Sequence, residues 1–145
     1  MQEKENNDID IKGKIRKWIE EESMFEKTTT DKVIASLDTE DMSTLDLMSK
    51  SFIPVYSNII ASDKNRGFRL ILLSSEYIVH YLKKNNRRFI KYVKKERITT
   101  IAITQVGEDS FGLTVSTLDN PSEIVLYLRD FIVLTYLQFV ISSKD

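Results

Sequence analysis

Apolar residues before position 50 recur at helical spacing, whereas from position 52 onward they fall into short β-branched and aromatic runs. Ile11, Ile15, Trp18, Ile19 and Phe25 form one stripe of an amphipathic helix, predicted over residues 10–27 with Asp10 as its N-cap. Lys12, Lys14, Arg16 and Lys17 sit near the start of that helix and Glu20, Glu21 and Glu22 near its end, the wrong order for the helix dipole, so packing must hold it. A second helix is predicted over residues 39–49, where Met42, Leu45 and Met48 are three apart and Asp38 is placed to cap. Thr28, Thr29 and Thr30 interrupt the helical pattern, which marks residues 28–51 as the expected hinge.

The later runs predict seven strands, near 52–61, 68–74, 77–83, 88–95, 98–106, 110–117 and 122–129. Polar turns separate them, at 63–67, 74–76, 83–87, 107–109 and 118–121, with a bend around Glu96. Connections this short favour antiparallel neighbours, and so many strands tend to close or split so that few edges stay exposed. Residues 130–143 read as a closing helix capped by Asp130, with Thr135, Gln138 and Ser142 as its polar stripe. The other positions there are nearly all apolar, so one face is expected to plug the barrel and another to receive the N-terminal helices or a second subunit. Their β-branched content leaves a strand as the rival reading. The expected fold is mainly β (α+β): a seven-stranded antiparallel barrel or sandwich closed by a C-terminal helix, with a helical extension over 1–51 and the β domain over 52–145.

Composition removes several kinds of chemistry. With no cysteine, and His80 the only histidine, neither a sulfur-ligated zinc site nor a Cys-His pair can be assembled, and no metal or catalytic residue is assigned. His80 lies within an alternating run and reads as a half-buried strand residue. Glycine occurs only at 13, 67, 107 and 112, so neither a P-loop nor a G-x-G-x-x-G turn exists, and no cofactor is expected. Residues 1–10 are polar and acidic, which gives no expectation of a signal peptide, and no run approaches the roughly 20 apolar residues of a membrane span. Gln2 and the lack of cysteine speak against lipid anchors. The expectation is a cytoplasmic, non-catalytic binding module.

The net charge of −1 conceals a segregated arrangement: −5 over residues 1–50, +8 over 51–100 and −4 over 101–145. Lys83, Lys84, Arg87, Arg88, Lys91, Lys94, Lys95 and Arg97 place eight cations in fifteen residues, opposed within that run only by Glu96. On a hairpin several of them converge on one anion, and Lys64, Arg66 and Arg69 add to the set if the preceding loop opens at the same end. Each Lys or Arg near an anionic bilayer contributes about 1 kcal/mol. The candidate ligand-binding residues are therefore Lys64, Arg66, Arg69, Lys83, Lys84, Arg87, Arg88 and Lys91. An anionic phospholipid surface is the expected partner, peripheral at a membrane or the cytoskeleton. The alternative is a protein-interaction or dimerisation scaffold, with the apolar last helix offering a homo-oligomer surface. Nucleic acid is disfavoured, because the flanking acidic segments would repel a long polyanion.

Seven strands and a closing helix in this order resemble the pleckstrin-homology superfold. Within it, the run from Phe68 through Leu73, the turn at Ser74 and Ser75, and the strand Tyr77, Ile78, Val79 are similar to the tail-homology domain of class I myosins. Ile98, Thr99, Thr100 and Ile101, then Phe111, Gly112, Leu113 and Thr114, continue that pattern. The resemblance implies a non-catalytic module that binds phosphoinositide head groups or protein partners at the open end of the barrel. Lys64 matches the first cation of the basic signature, whereas Arg66 and Arg69 are three apart where the pattern places its cations one residue apart.

Overall fold

The computed structural model describes residues 2–21, 27–61 and 66–143. Three helices, α1 (Gln2–Glu21), α2 (Lys27–Ala35) and α3 (Thr39–Met48), precede the strands β1 (Ile53–Ala61), β2 (Arg66–Leu73), β3 (Tyr77–Lys84), β4 (Arg87–Lys94), β5 (Ile98–Gln105), β6 (Phe111–Thr117) and β7 (Ile124–Leu128). Helix α4 (Phe131–Ser142) follows, and one 3-10 turn at Lys95–Arg97 joins β4 to β5. Every neighbouring strand pair is antiparallel. The first sheet has the order β1-β2-β3-β4 and the second the order β5-β6-β7, so the mainly antiparallel expectation holds but the sheets do not close into a barrel.

Sheet β1–β4 is covered on both faces, which explains why its central strands are so apolar. Period-two alternation sends Phe68, Leu70, Leu72, Val79 and Tyr81 into one core with Ile15, Ile19, Val33, Ile34, Leu37, Met42, Leu45 and Met48 of the helices. The intervening residues Ile71, Leu73 and Ile78 join a second core with Leu113, Val115, Ile124 and Leu126 of the other sheet and Leu134, Leu137 and Ile141 of α4. At about 1.5–3 kcal/mol for each such side chain fully buried, these two cores supply most of the driving force. The N-terminal helices thus pack on the outer face of the first sheet, and α4 lies against the second sheet and β1, so of the two covers expected for its other face, the N-terminal helices or a second subunit, the helices lie elsewhere.

Local chemistry sets the helix ends. Asp38 and Asp41 form a capping box at α3: the Asp41 amide donates to Asp38 Oδ1 at 2.8 Å and the Asp38 amide to Asp41 Oδ2 at 3.0 Å. Asp130 caps α4 by accepting from the amides of Ile132 and Val133. Asp10, expected as a cap, lies inside α1 instead. The expected hinge at 28–51 holds α2 and α3, because Val33, Ile34 and Leu37 bury against the sheet and override the weak helix propensity of the threonines. Trp18 Nε1 donates to the Phe52 carbonyl at 2.8 Å and pins α1 to the start of β1.

The β3–β4 hairpin turns through Asn85 and Asn86, both at positive φ (52° and 63°), the backbone required by a two-residue type I′ turn. Beside it Gly67 faces Lys84 across the strands, and a Cβ at residue 67 would stand 1.7 Å from the Lys83 carbonyl oxygen. Gly67→Ala should therefore force the strands apart and destabilise the chain by about 1–3 kcal/mol or more, read as a lower urea midpoint. A midpoint unchanged from the parent chain would contradict that packing.

Candidate functional site

Alternation along the β3–β4 hairpin divides the predicted basic patch between two faces. Lys83 continues the face of Val79 and Tyr81, and Arg88 pairs with it in register, so both point toward the helices. Lys83 is only 6% exposed. Its ammonium donates to Asp41 Oδ2 at 2.6 Å, the Ser36 carbonyl at 3.1 Å and Asp38 Oδ2 at 3.2 Å. Arg88 donates through Nε to Asp41, through Nη1 to Glu40 at 2.9 Å and through Nη2 to Asp38. Tyr81 Oη completes the set by donating to Asp41 Oδ1 at 2.6 Å.

The electrostatics follow from this enclosure. Desolvation alone would raise the Asp38 pKa, but the Asp41 amide, Lys83 and Arg88 together hold the carboxyl far below the carboxylate range. Desolvation likewise works against the Arg88 charge, and the bonds to Asp41 and Asp38 outweigh it and raise its pKa. Burial and the Asp41 carboxylate both push the Tyr81 hydroxyl upward, keeping it a donor. Lys83 and Arg88 were expected to face an external anion; the structure gives them internal partners instead.

Further cations of the run are also matched. Lys91 bonds the Glu123 carbonyl at 3.1 Å and lies 3.5 Å from its carboxylate, Lys94 lies 3.7 Å from Glu96, and Arg97 pairs with Asp119. Lys95 stands in the 3-10 turn at the far end of β4 and shares no strand face with Lys91. Lys64 lies outside the described residues.

Four of the predicted residues are brought together without a counterion among the described residues. Arg69, Lys84 and Arg87 share the sheet face turned away from the helices: Lys84 is in register with both Gly67 and Arg87, and Arg69 lies two residues along from Gly67. With strands about 5 Å apart and about 7 Å between residues i and i+2, their Cα atoms lie within one head-group's reach. Arg66 adds a rim charge, its amide donating to Asn85 Oδ1 at 3.3 Å and its carbonyl accepting from the Asn85 amide at 3.0 Å. Among the described residues none of the four has a carboxylate within salt-bridge distance. Gly67, lacking a side chain, leaves the surface between them uncovered.

His80 belongs beside this group, half-buried in mid-strand. Its Nε2 accepts from Arg69 Nε at 3.0 Å, which places the proton of the neutral ring on Nδ1. Desolvation, then the charges of Arg69 and Lys91, depress the His80 pKa to about 4. Desolvation also lowers the Arg69 pKa, opposed by Tyr56, whose own hydroxyl burial pushes up to about 12. The arrangement offers fixed cationic donors and no nucleophile with an adjacent base. Among the described residues no group of three His, Asp or Glu gathers as metal ligands, and no helix is long and apolar enough to cross a membrane.

The sequence reading missed Asp38, Glu40, Asp41 and Tyr81 as partners of the basic run. The signal was present: period two puts Lys83 on the apolar face of Val79 and Tyr81, and a cation on a buried face requires an internal acid.

Two titrations separate in pH. A histidine whose folded pKa is depressed from 6.5 to about 4 costs stability as pH falls through that window, because the unfolded chain takes up the proton first. The depressed Asp38 carboxyl lends stability that is complete above its ordinary value of 3.8 and is lost only as pH falls below it. In urea unfolding, His80→Gln should flatten the stability loss between pH 6.5 and 4, and Asp38→Asn should shrink the loss below pH 4. An unaltered slope in both windows would contradict these assignments.

Compared with family models, curated proteins and solved structures, the chain matches none, so the arrangement of its own side chains carries the functional argument.

Proposed function

We propose that this chain is a non-catalytic targeting module that binds anionic phospholipid head groups, of the phosphoinositide kind, through Arg66, Arg69, Lys84 and Arg87. The observation that supports this reading is the sorting of charge. The fold pairs Lys83, Arg88, Lys91, Lys94 and Arg97 with carboxylates of the same chain, yet among the described residues these four cations have none, at one end of the first sheet. A guanidinium half-buried without a carboxylate, as in Arg69, is stabilised by any anion that enters. The order of the two sheets and the helix after β7 support a pleckstrin-homology-like arrangement, with the site at the sheet end nearest the β3–β4 turn.

Four cations at about 1 kcal/mol each give weak, salt-sensitive attachment suited to reversible contact at a cytoplasmic membrane surface or the membrane cytoskeleton. Co-sedimentation with phosphatidylserine, phosphoinositide and neutral vesicles tests this at low and physiological salt. Wild type should bind the anionic vesicles and lose affinity as salt rises. Lys84→Glu with Arg87→Glu should weaken binding at least tenfold, while Lys94→Glu with Lys95→Glu at the other end of β4 should leave it nearly unchanged. Equal loss in both variants, or no binding to any anionic vesicle, would overturn the assignment.

A further inference from the structure

In a chain of which 30% of residues are charged, strands β5, β6 and β7 and helix α4 carry no Asp, Glu, Lys, Arg or His. Burial in the second core accounts for the inner sides of these elements, but α4 is apolar on its outside as well. Leu134, Leu137 and Ile141 bury one side of the helix, while Phe131, Ile132, Thr135, Phe139 and Ser142 stand exposed on the other. Ile132 is 71% exposed, Phe139 74%, and Phe131 50% even with the Phe111 ring 5.1 Å away. A solvated helix face ordinarily carries charge, whereas the core of a subunit interface is depleted of it.

The polar groups along this face already have partners within the chain. Thr135 Oγ1 donates to the Phe131 carbonyl at 2.9 Å, and Ser142 Oγ to the Gln138 carbonyl at 2.6 Å. Gln138, at the margin of the stripe, donates through Nε2 to the Ile101 carbonyl at 2.8 Å. Covering the face therefore strands none of these donors, which removes the usual penalty for burying polar side chains.

We infer that this face of α4 is the interface with a second copy of this chain, the two helices lying antiparallel about a two-fold axis at Thr135. The spacing of the large side chains selects that occupant. Phe131 and Phe139 each lie four residues from Thr135, so the axis sets Phe131 of one copy beside Phe139 of the other. Such self-matching is what an isologous contact requires. Phe131, Thr135 and Phe139 form an i, i+4 ridge, and the small threonine at its middle lets the helix axes approach to the about 8–10 Å of packed helices. Antiparallel pairing also places the positive end of each helix dipole beside the negative end of the other. At about 200 Å² for a large aromatic side chain, Phe131, Ile132 and Phe139 together expose roughly 350 Å² in each chain. With Thr135, Tyr136 and Ser142 added, two copies bury about 1,000 Å², the lower bound of a specific interface, so the association is reversible and weak. The contact uses none of the four unmatched cations and stands whether or not these bind head groups.

Sedimentation velocity of the full chain from low to high micromolar concentration tests the inference. The sedimentation coefficient should rise from monomer to dimer, with the dissociation constant raised at least tenfold by Ile132→Glu and by Phe139→Glu and unaltered by Lys84→Glu with Arg87→Glu. The chain has no cysteine, so Thr135→Cys, a nearly isosteric change at the axis, gives a second reading that does not require the glutamate variants to fold. Mild oxidation should link Thr135→Cys to its own copy and leave Leu118→Cys, at a position 89% exposed after β6, mostly unlinked. A chain that stays monomeric over the whole range, whether the face then meets another protein or a bilayer, would overturn the inference. So would a dimer indifferent to both glutamate substitutions, or equal linkage of the two cysteine variants.

Discussion

The carboxylate of Asp41 is fully buried between α3 and the first sheet, and Tyr81, Lys83 and Arg88 all donate to it. An ion taken out of water without partners costs several kcal/mol, so neither the acid nor the two bases tolerates separation from the others. This mutual requirement fixes the register between the helical layer and the β3–β4 hairpin, because only one placement of α3 brings Asp38, Glu40 and Asp41 over Lys83 and Arg88. The apolar contacts beneath, from Phe68, Leu70 and Tyr81 to Leu45 and Met42, supply the affinity of the two layers. The ionic set supplies their alignment.

That alignment decides what remains for function. Cations on the helix side of the hairpin are consumed by the fold, and those on the opposite side at the same end stay available. The sheet edges are managed in the same way: helices α1 and α2 contact β1, charge lies along β4, and α4 packs against β5, where Gln138 bonds the Ile101 carbonyl. One polar, cationic surface follows, at the end of the first sheet nearest the β3–β4 turn.

Much of the fold was legible because the chain's periods are clean. Each of the strands lies within a residue or two of its expected position, and the capped helices at α3 and α4 begin where Asp38 and Asp130 promised. Helix α2 escaped detection because three successive threonines mask an element held by tertiary burial of Val33 and Ile34. The site was half legible. Clustering of cations shows in the linear chain, but their neutralisation comes from acids some forty residues away, as with Lys83 and Asp41 at a separation of 42. Barrel closure was not legible, since it depends on whether β1 and β4 find partners across the gap between sheets, which no local pattern specifies.

A double-mutant cycle between Asp41 and Lys83, with Asp41→Asn, Lys83→Met and the pair measured by urea unfolding at neutral pH, tests the central claim most directly. Each single change leaves a buried group without its counterpart, so the double variant should be less destabilised than the two singles combined, with a coupling of about 1–3 kcal/mol. Additive effects, with no coupling beyond error, would contradict the account in which this ion cluster aligns the two layers and withdraws Lys83 from the binding surface.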